Sequence, residues 1–313
     1  MIDIALKKKR NRTSPGPFLC WLSTAIIVVV CAGLVIYPLI VGAKAINLEF
    51  LLTDPLPSLK EELSGGILTP IAGTIIIILI TSVITTPIAL GTAIYLTEYA
   101  GRDKLPTRLM SLGIDVLAGV PSAVLAIFGL AVFSLPQLAI FSSKVEGAEL
   151  SFGNSFLVGG IVMILHIISF VIKAMEESIK SVPSSYRDAA YALGTTRWRT
   201  IKRAVLPAAR PGIITGIILG IGLIAGDTAI IWLCVGGSMT MTGAEQWWLP
   251  WNWLAVIQHS GSTLTSYIFY SSPAGEGNSP NKAFGAVFVL MVIILALNLI
   301  VDYLGKTKKI TQV

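Results

Sequence analysis

Residues 18–40 read FLCWLSTAIIVVVCAGLVIYPLI, 23 residues without a charge. A helix crossing a bilayer core of about 30 Å needs ~20 such residues, so this stretch asks for lipid rather than water. Ahead of it stand Lys7, Lys8, Lys9, Arg10 and Arg12, and behind it Ala43-Lys44-Ala45, a frame that imitates a secretory signal. The apolar run is longer than the ~7–15 residues of a signal core, so it reads as a retained spanning helix over 18–43. Five further runs of the same kind follow, at 69–97, 107–137, 154–175, 207–235 and 283–304. Composition agrees. Of 313 residues 54% are hydrophobic and 13% charged, against about a quarter charged in soluble domains. The expectation is an all-α membrane protein with six transmembrane helices and no sizeable soluble domain.

Charge placement orients the spans. With the N-terminus inside, only Lys44, Lys60, Lys144 and Lys282 of the 23 basic residues fall outside. This bias predicts that both termini are cytoplasmic, with basic tails at 1–17 and 305–313. It also explains the net charge of +6 by anionic lipid, with no nucleic-acid partner. The outer segment 236–282 holds Trp247, Trp248, Trp251 and Trp253, which read as interfacial anchors. Residues 273–281 read as a turn region rich in glycine, serine and proline.

Catalytic patterns are missing from the sequence. It lacks His-Glu-x-x-His, Cys-x-x-Cys and Gly-x-Ser-x-Gly, which carry metal, redox and acyl-transfer chemistry. Gly305-Lys306-Thr307 imitates the end of a phosphate-binding loop, but Ile300 stands where its first glycine belongs. ATP is therefore not bound by that means. Cys20, Cys31 and Cys234 lie in apolar runs and read as small fillers.

Inside the spans, acids are the informative residues. A carboxylate at the centre of a spanning helix costs about 2.5–3.5 kcal/mol on an insertion scale, so Asp115 and Asp227 should be paired, protonated or beside a polar path. Arg108 and Lys173 are the candidate partners of Asp115. Pro121 interrupts the hydrogen-bond ladder of the third span, which is tolerable only where neighbours or a cavity satisfy the freed groups. Gly212, Gly216 and Gly220, with Gly222 and Gly226, have the small-xxx-small spacing of close helix packing. His166 reads as a hydrogen-bonding group within the bundle rather than a ligand.

Between spans four and five lies SVPSSYRDAAYALG (181–194), then TTRWRTIKRAVLP (195–207). Pro183 can open a helix and Gly194 can end it in a left-handed conformation. Tyr186, Ala189, Ala190 and Leu193 share one apolar face. Thr195 or Thr196 can cap a second short helix that stops before Pro207. By periodicity alone, this is a connector lying on lipid headgroups.

The residues make it something more. The loop resembles the EAA signature of bacterial ABC-importer permeases: Glu-Ala-Ala, three residues, Gly, nine residues, Ile-x-Leu-Pro. Asp188-Ala189-Ala190, Gly194 and Leu206-Pro207 match that spacing, with Asp188 for the usual Glu and Ala204 for the usual Ile. Residues 91–100 (GTAIYLTEYA), 114–122 (IDVLAGVPS), Glu176-Glu177, 210–216 (RPGIITG) and 226–229 (GDTA) are similar to the phosphate-specific branch, and within it to PstA-like subunits.

This resemblance implies a type I ABC importer permease-like fold, with residues 69–304 as its core and 181–207 as its cytoplasmic coupling loop. Tyr186, Asp188, Ala189, Ala190, Leu193 and Gly194 would dock on a separate ATPase. Asp115, Pro121, Ser122, Asp227 and Thr228 would lie along the translocation pathway. The implied partners are a PstC-like second permease, two PstB-like ATPases that bind the ATP, an extracytoplasmic PstS-like phosphate-binding protein, and lipid. The implied place is the bacterial plasma membrane, and the chain itself has no cofactor and no catalysis. The family usually carries an arginine four residues before the Asp227 position, where this sequence has Leu223. A cation from the second permease is therefore the expected partner of Asp227. The alternative functions are import of another small solute, or transport by a self-coupled secondary carrier.

Overall fold

The structure, a computed structural model, describes residues 15–56, 65–101, 104–143, 151–237, 246–275, 277 and 279–305. Residues 1–14 and 306–313, most of the two basic tails, lie outside the described residues. So does part of the 273–281 turn region. The helices that matter are α1 (Pro15–Ala45), α2 (Leu68–Tyr99), α3 (Leu105–Ala118), α4 (Ser122–Phe133) and α5 (Phe156–Lys180). They continue as α6 (Ser184–Ala192), α7 (Arg197–Gly226), α8 (Leu264–Ser271) and α9 (Pro280–Gly305). An isolated β bridge pairs Pro55 with Gly65. Among the described residues five helices are long and apolar enough to span a membrane, and the bent pair α3–α4, taken as one span, would make a sixth.

Two expected rods are broken or extended, each for a local reason. The run 107–137 is not straight, because α3 and α4 meet at 99°. Gly119 and Val120 close α3 with tight bonds to Val116 and Leu117 carbonyls. Pro121, without an N–H of its own, then starts α4 by accepting from Val124 and Leu125. The second short helix expected to stop before Pro207 instead runs straight on, as part of the 30-residue α7. A π turn over Ile201–Val205 lets the Leu206 N–H reach back to the Ile201 carbonyl. Pro207 then enters at the start of the next helical stretch, where no N–H is needed. α7 ends at Gly226. Asp227 is extended, and the helix restarts at Thr228–Ile230 and widens over Ile231–Val235.

α5 is the central helix, packed most extensively against α2 and α7. Its Met163, Ile167, Val171, Met175 and Ile179 are all buried, a stripe of i+4 steps that suits ridge-into-groove packing. Three glycines of α7 accept it. A Cβ at Gly212 would lie 2.3 Å from Ser178 Oγ, and one at Gly220 would lie 3.1 Å from Val171 Cγ2. Gly216 faces Met175 and Ala174. Ser178 Oγ also donates to the Ala209 carbonyl at 2.7 Å. Gly222 and Gly226, read with the same stripe, have nothing within 4 Å. They belong to a different, open face.

α1 is peripheral. It rests on α9, with Gly42 against the Phe284 backbone and Tyr37 edge-on to the Phe284 ring. The rest of its apolar surface is exposed, as lipid or a second subunit would require. Trp247, Trp248 and Trp253 turn toward the start of α2, where with Ile75 and Leu79 they line an apolar cavity of about 460 Å³.

Candidate functional site

Two groups of charged residues stand apart, one beside the 181–207 loop and one within the spans. The loop forms as its residues dictate. Pro183 is extended and precedes α6, and Gly194 follows it at φ +72°, a backbone region only glycine enters without strain. Thr195 Oγ1 bonds the Ala190 carbonyl and Thr200 Oγ1, each at 2.8 Å. Thr196 stands at the start of α7 without a side-chain cap.

The expected apolar face of α6 is split by its tilt. Ala190 turns half inward, whereas Tyr186, Asp188, Ala189 and Leu193 are exposed, Leu193 at 83%. Gly194 is exposed beside them. Among the described residues nothing from its own chain covers this outer surface.

The back of α6 is held by a group that sequence reasoning did not identify. Glu98, in the last turn of α2, is only 6% exposed. Its carboxylate accepts from Arg187 of α6, with Nη2 at 2.6 Å and Nε at 3.1 Å from Oε1. The same guanidinium donates from Nη1 to the Val182 carbonyl at 2.9 Å and from Nη2 to the Ile179 carbonyl at 3.2 Å. It thereby satisfies carbonyls at the end of α5, where a cation also suits the helix dipole. Arg197 of α7 donates to the Glu98 carbonyl and lies 4.9 Å from the Tyr99 ring centroid. The one signal in the sequence was an acid closing an apolar span.

Within the spans the charges sit on one side of α5. Asp227 caps the helical restart, its Oδ1 accepting from the Ile230 N–H at 2.7 Å. Its Oδ2 lies 3.6 Å from His166 Nε2, and both side chains are largely buried. The side chain that faces Asp227 within the chain is thus the imidazole of α5. His166 Nδ1 is buried without a hydrogen-bond partner in the structure. Seven residues along α5, roughly 10 Å on, Lys173 Nζ pairs with Asp115 Oδ1 at 2.8 Å. This confirms one of the two partners read for Asp115. The pair is open, with Lys173 46% and Asp115 57% exposed.

Of the other residues expected on the pathway, Thr228 follows Asp227 directly, while Pro121 and Ser122 begin α4. The restart at Thr228–Ile230 packs against α4, so the chain breaks at Pro121 and Asp227 begin neighbouring segments. Pro121 and Thr228 are exposed and Ser122 is half-buried. Asp115 does not join them but lies further along the same side, on Lys173. Among the described residues no group of three or more His, Cys, Asp or Glu could hold a metal ion. What the arrangement offers is two breaks in the spans and two charged pairs along α5, one largely buried and one open.

Residues 86–309 match the family described as binding-protein-dependent transport system inner membrane component. The chain is 32% identical over 186 residues to "Phosphate transport system permease protein PstA 1" of Mycobacterium tuberculosis (strain CDC 1551 / Oshkosh), covering 59% of this chain and 53% of that protein. It is 29% identical over 149 residues to "Phosphate transport system permease protein PstC" of Haemophilus influenzae, covering 42% of this chain and 46% of that one. The chain thus spans about half the length of the curated relatives it matches. In fold it is similar to a chain of a bacterial alginate ABC transporter in complex with its pentasaccharide-bound periplasmic protein. There the TM-score is 0.57 at 15% identity, over 91% of this chain and 94% of that one.

Proposed function

This chain belongs to the binding-protein-dependent transport system inner membrane components, and from that membership we propose that it is the membrane-spanning permease of an ATP-driven importer of inorganic phosphate. As a permease component it is non-catalytic. Helix α6 carries the reading. Its outer residues are bare, while its back is pinned to two spanning helices by Arg187. A headgroup-lying connector needs no such support. A surface that must receive force from another protein does.

In this reading Tyr186, Asp188, Ala189, Ala190, Leu193 and Gly194 form the ATPase-docking surface. The open side of α5, with Asp115, Pro121, Ser122, Asp227 and Thr228, faces the pathway shared with a second, PstC-like permease. Two PstB-like ATPases bind the ATP and a PstS-like protein delivers the solute from outside. The loop and both chain ends lie on the cytoplasmic side of the bacterial plasma membrane, as the basic-residue bias requires. Phosphate as cargo is supported by the likeness to PstA and PstC proteins. Leu223, where the family carries an arginine, favours the second reading, a different small solute.

The test is reconstitution. The chain with its co-purifying permease and ATPase should take up radiolabelled phosphate only with ATP, the binding protein being supplied outside. Uptake of another anion in preference to phosphate would move the substrate assignment and leave the permease assignment standing. Uptake by the chain alone, without nucleotide, would overturn the ATP-driven reading in favour of a secondary carrier.

A further inference from the structure

Helices α5 and α7 run covalently into α6 through residues 181–183 and 193–196, but α2 does not. Any displacement of α6 reaches α5 and α7 along the chain, whereas α2 can follow only through contacts. The contacts present are unusually specific. Arg187 of α6 spends its donors on Glu98 of α2 and on the carbonyls of Ile179 and Val182. Arg197 of α7 takes the Glu98 main-chain carbonyl. One residue of α2 is thus bound through its carboxylate to α6 and through its backbone to α7. Both bonds sit in the π turn Tyr95–Tyr99 that ends the span.

We propose that Glu98 is a positioning residue for energy coupling: with Arg187 it forms a latch that makes α2 move with the docking helix. The proposal rests on the reading of α6 as the ATPase-docking element. A planar guanidinium held by these hydrogen bonds has little freedom to slide, and the carboxylate is shielded from competing water. The pair therefore transmits displacement rather than absorbing it. Without it, α6 would move against α2, and ATP would be hydrolysed without full rearrangement of the spans. Three spanning helices, not two, are the unit that the ATPase drives.

The measurement is the amount of phosphate moved per ATP hydrolysed by the complete transporter in vesicles. Glu98→Gln keeps the shape of the side chain and removes its charge. We expect a fall in this ratio on the order of 10-fold, the size of a typical coupling between sites, with hydrolysis largely retained. Glu98→Asp keeps the charge on a shorter stem and should give a smaller fall. Loss of folded protein lowers uptake and hydrolysis together and leaves the ratio unchanged, so an unchanged ratio in both variants overturns the latch. Docking is read separately by cross-linking Leu193→Cys to the ATPase, with Cys20 and Cys31 replaced by serine. A cross-link together with an unchanged ratio sinks the latch alone. Failure to cross-link in the chain with native Glu98 sinks the docking reading and the latch with it.

Discussion

Glu98 and Asp227 are both largely taken out of water, yet their surroundings are built in opposite ways. At the loop, Arg187 hydrogen-bonds to Glu98 and to the Ile179 and Val182 carbonyls, and Glu98 is nearly enclosed. Along α5, Asp227 has one hydrogen bond and an imidazole at 3.6 Å, His166 has an unpartnered nitrogen, and the Asp115–Lys173 pair is half open. A buried ion pair repays its desolvation only when its remaining hydrogen-bonding capacity is filled. The first group meets that condition and works as a joint. The second is joined less completely, with Asp227 and His166 largely buried at 3.6 Å and the Asp115–Lys173 pair open. The glycines of α7 divide in the same way, since Gly212, Gly216 and Gly220 are closed against α5 while Gly222 and Gly226 are open.

The contrast can be broken most directly at Asp227. Asp227→Asn keeps an acceptor for the Ile230 N–H and removes the charge that faces His166. Hydrogen bonds to charged groups are worth about 1.5–3 kcal/mol, so uptake should fall by ~10- to 100-fold with assembly retained. Wild-type uptake by this variant would show that the open group carries no functional charge. Gly194→Val tests the closed end. A Cβ there has open space around it, so the penalty is conformational alone, about 1–2 kcal/mol for a left-handed residue. Uptake should drop by roughly 10-fold with the chain still inserted. Normal uptake with full stimulation of the ATPase would reduce the loop to a surface connector.

A paired experiment sharpens the division of glycines. Gly212→Ala sets a methyl against Ser178 Oγ and disturbs its bond to Ala209. It should destabilise the chain by about 1–3 kcal/mol, read as a lower melting temperature in detergent. Gly222→Ala should leave that temperature unchanged. Equal shifts for the two would mean that the face at Gly222 is closed after all. The smallest effect is expected at the open ion pair. Asp115→Asn removes a half-exposed partner of Lys173, and exposed pairs contribute about 0–1 kcal/mol. Uptake should change by less than ~5-fold. A loss as large as that of Asp227→Asn would place Asp115 on the same footing as the pathway carboxylate.

Much of this was legible one residue after another. Apolar runs of spanning length, basic residues gathered on one side, and the Pro183-to-Gly194 helix are local properties, set by solvation and backbone preference within a few turns. The reading of that helix as a docking element rests instead on the resemblance of Asp188, Ala189, Ala190 and Gly194 to the EAA signature, which local preference does not supply. Local reasoning failed where the backbone had a choice. Pro121 and Pro207 both lack an N–H, yet the chain folds back at one and runs straight through the other. What differs is the preceding turn, closed tightly at Gly119 but widened to a π turn at Ile201–Val205.

The amino-acid sequence by itself determined that the chain lives in lipid as a bundle of helices and presents a short helix between its fourth and fifth spans. Only the tertiary structure decided which charges meet. Glu98 finds Arg187 across 89 positions and Asp227 finds His166 across 61. Neither pairing leaves a trace in spacing, because it depends on α2 and α7 packing against the same central helix. Hydropathy acts on each segment separately, whereas an ion pair in a low-dielectric interior exists only once packing has brought its two halves within a few ångströms.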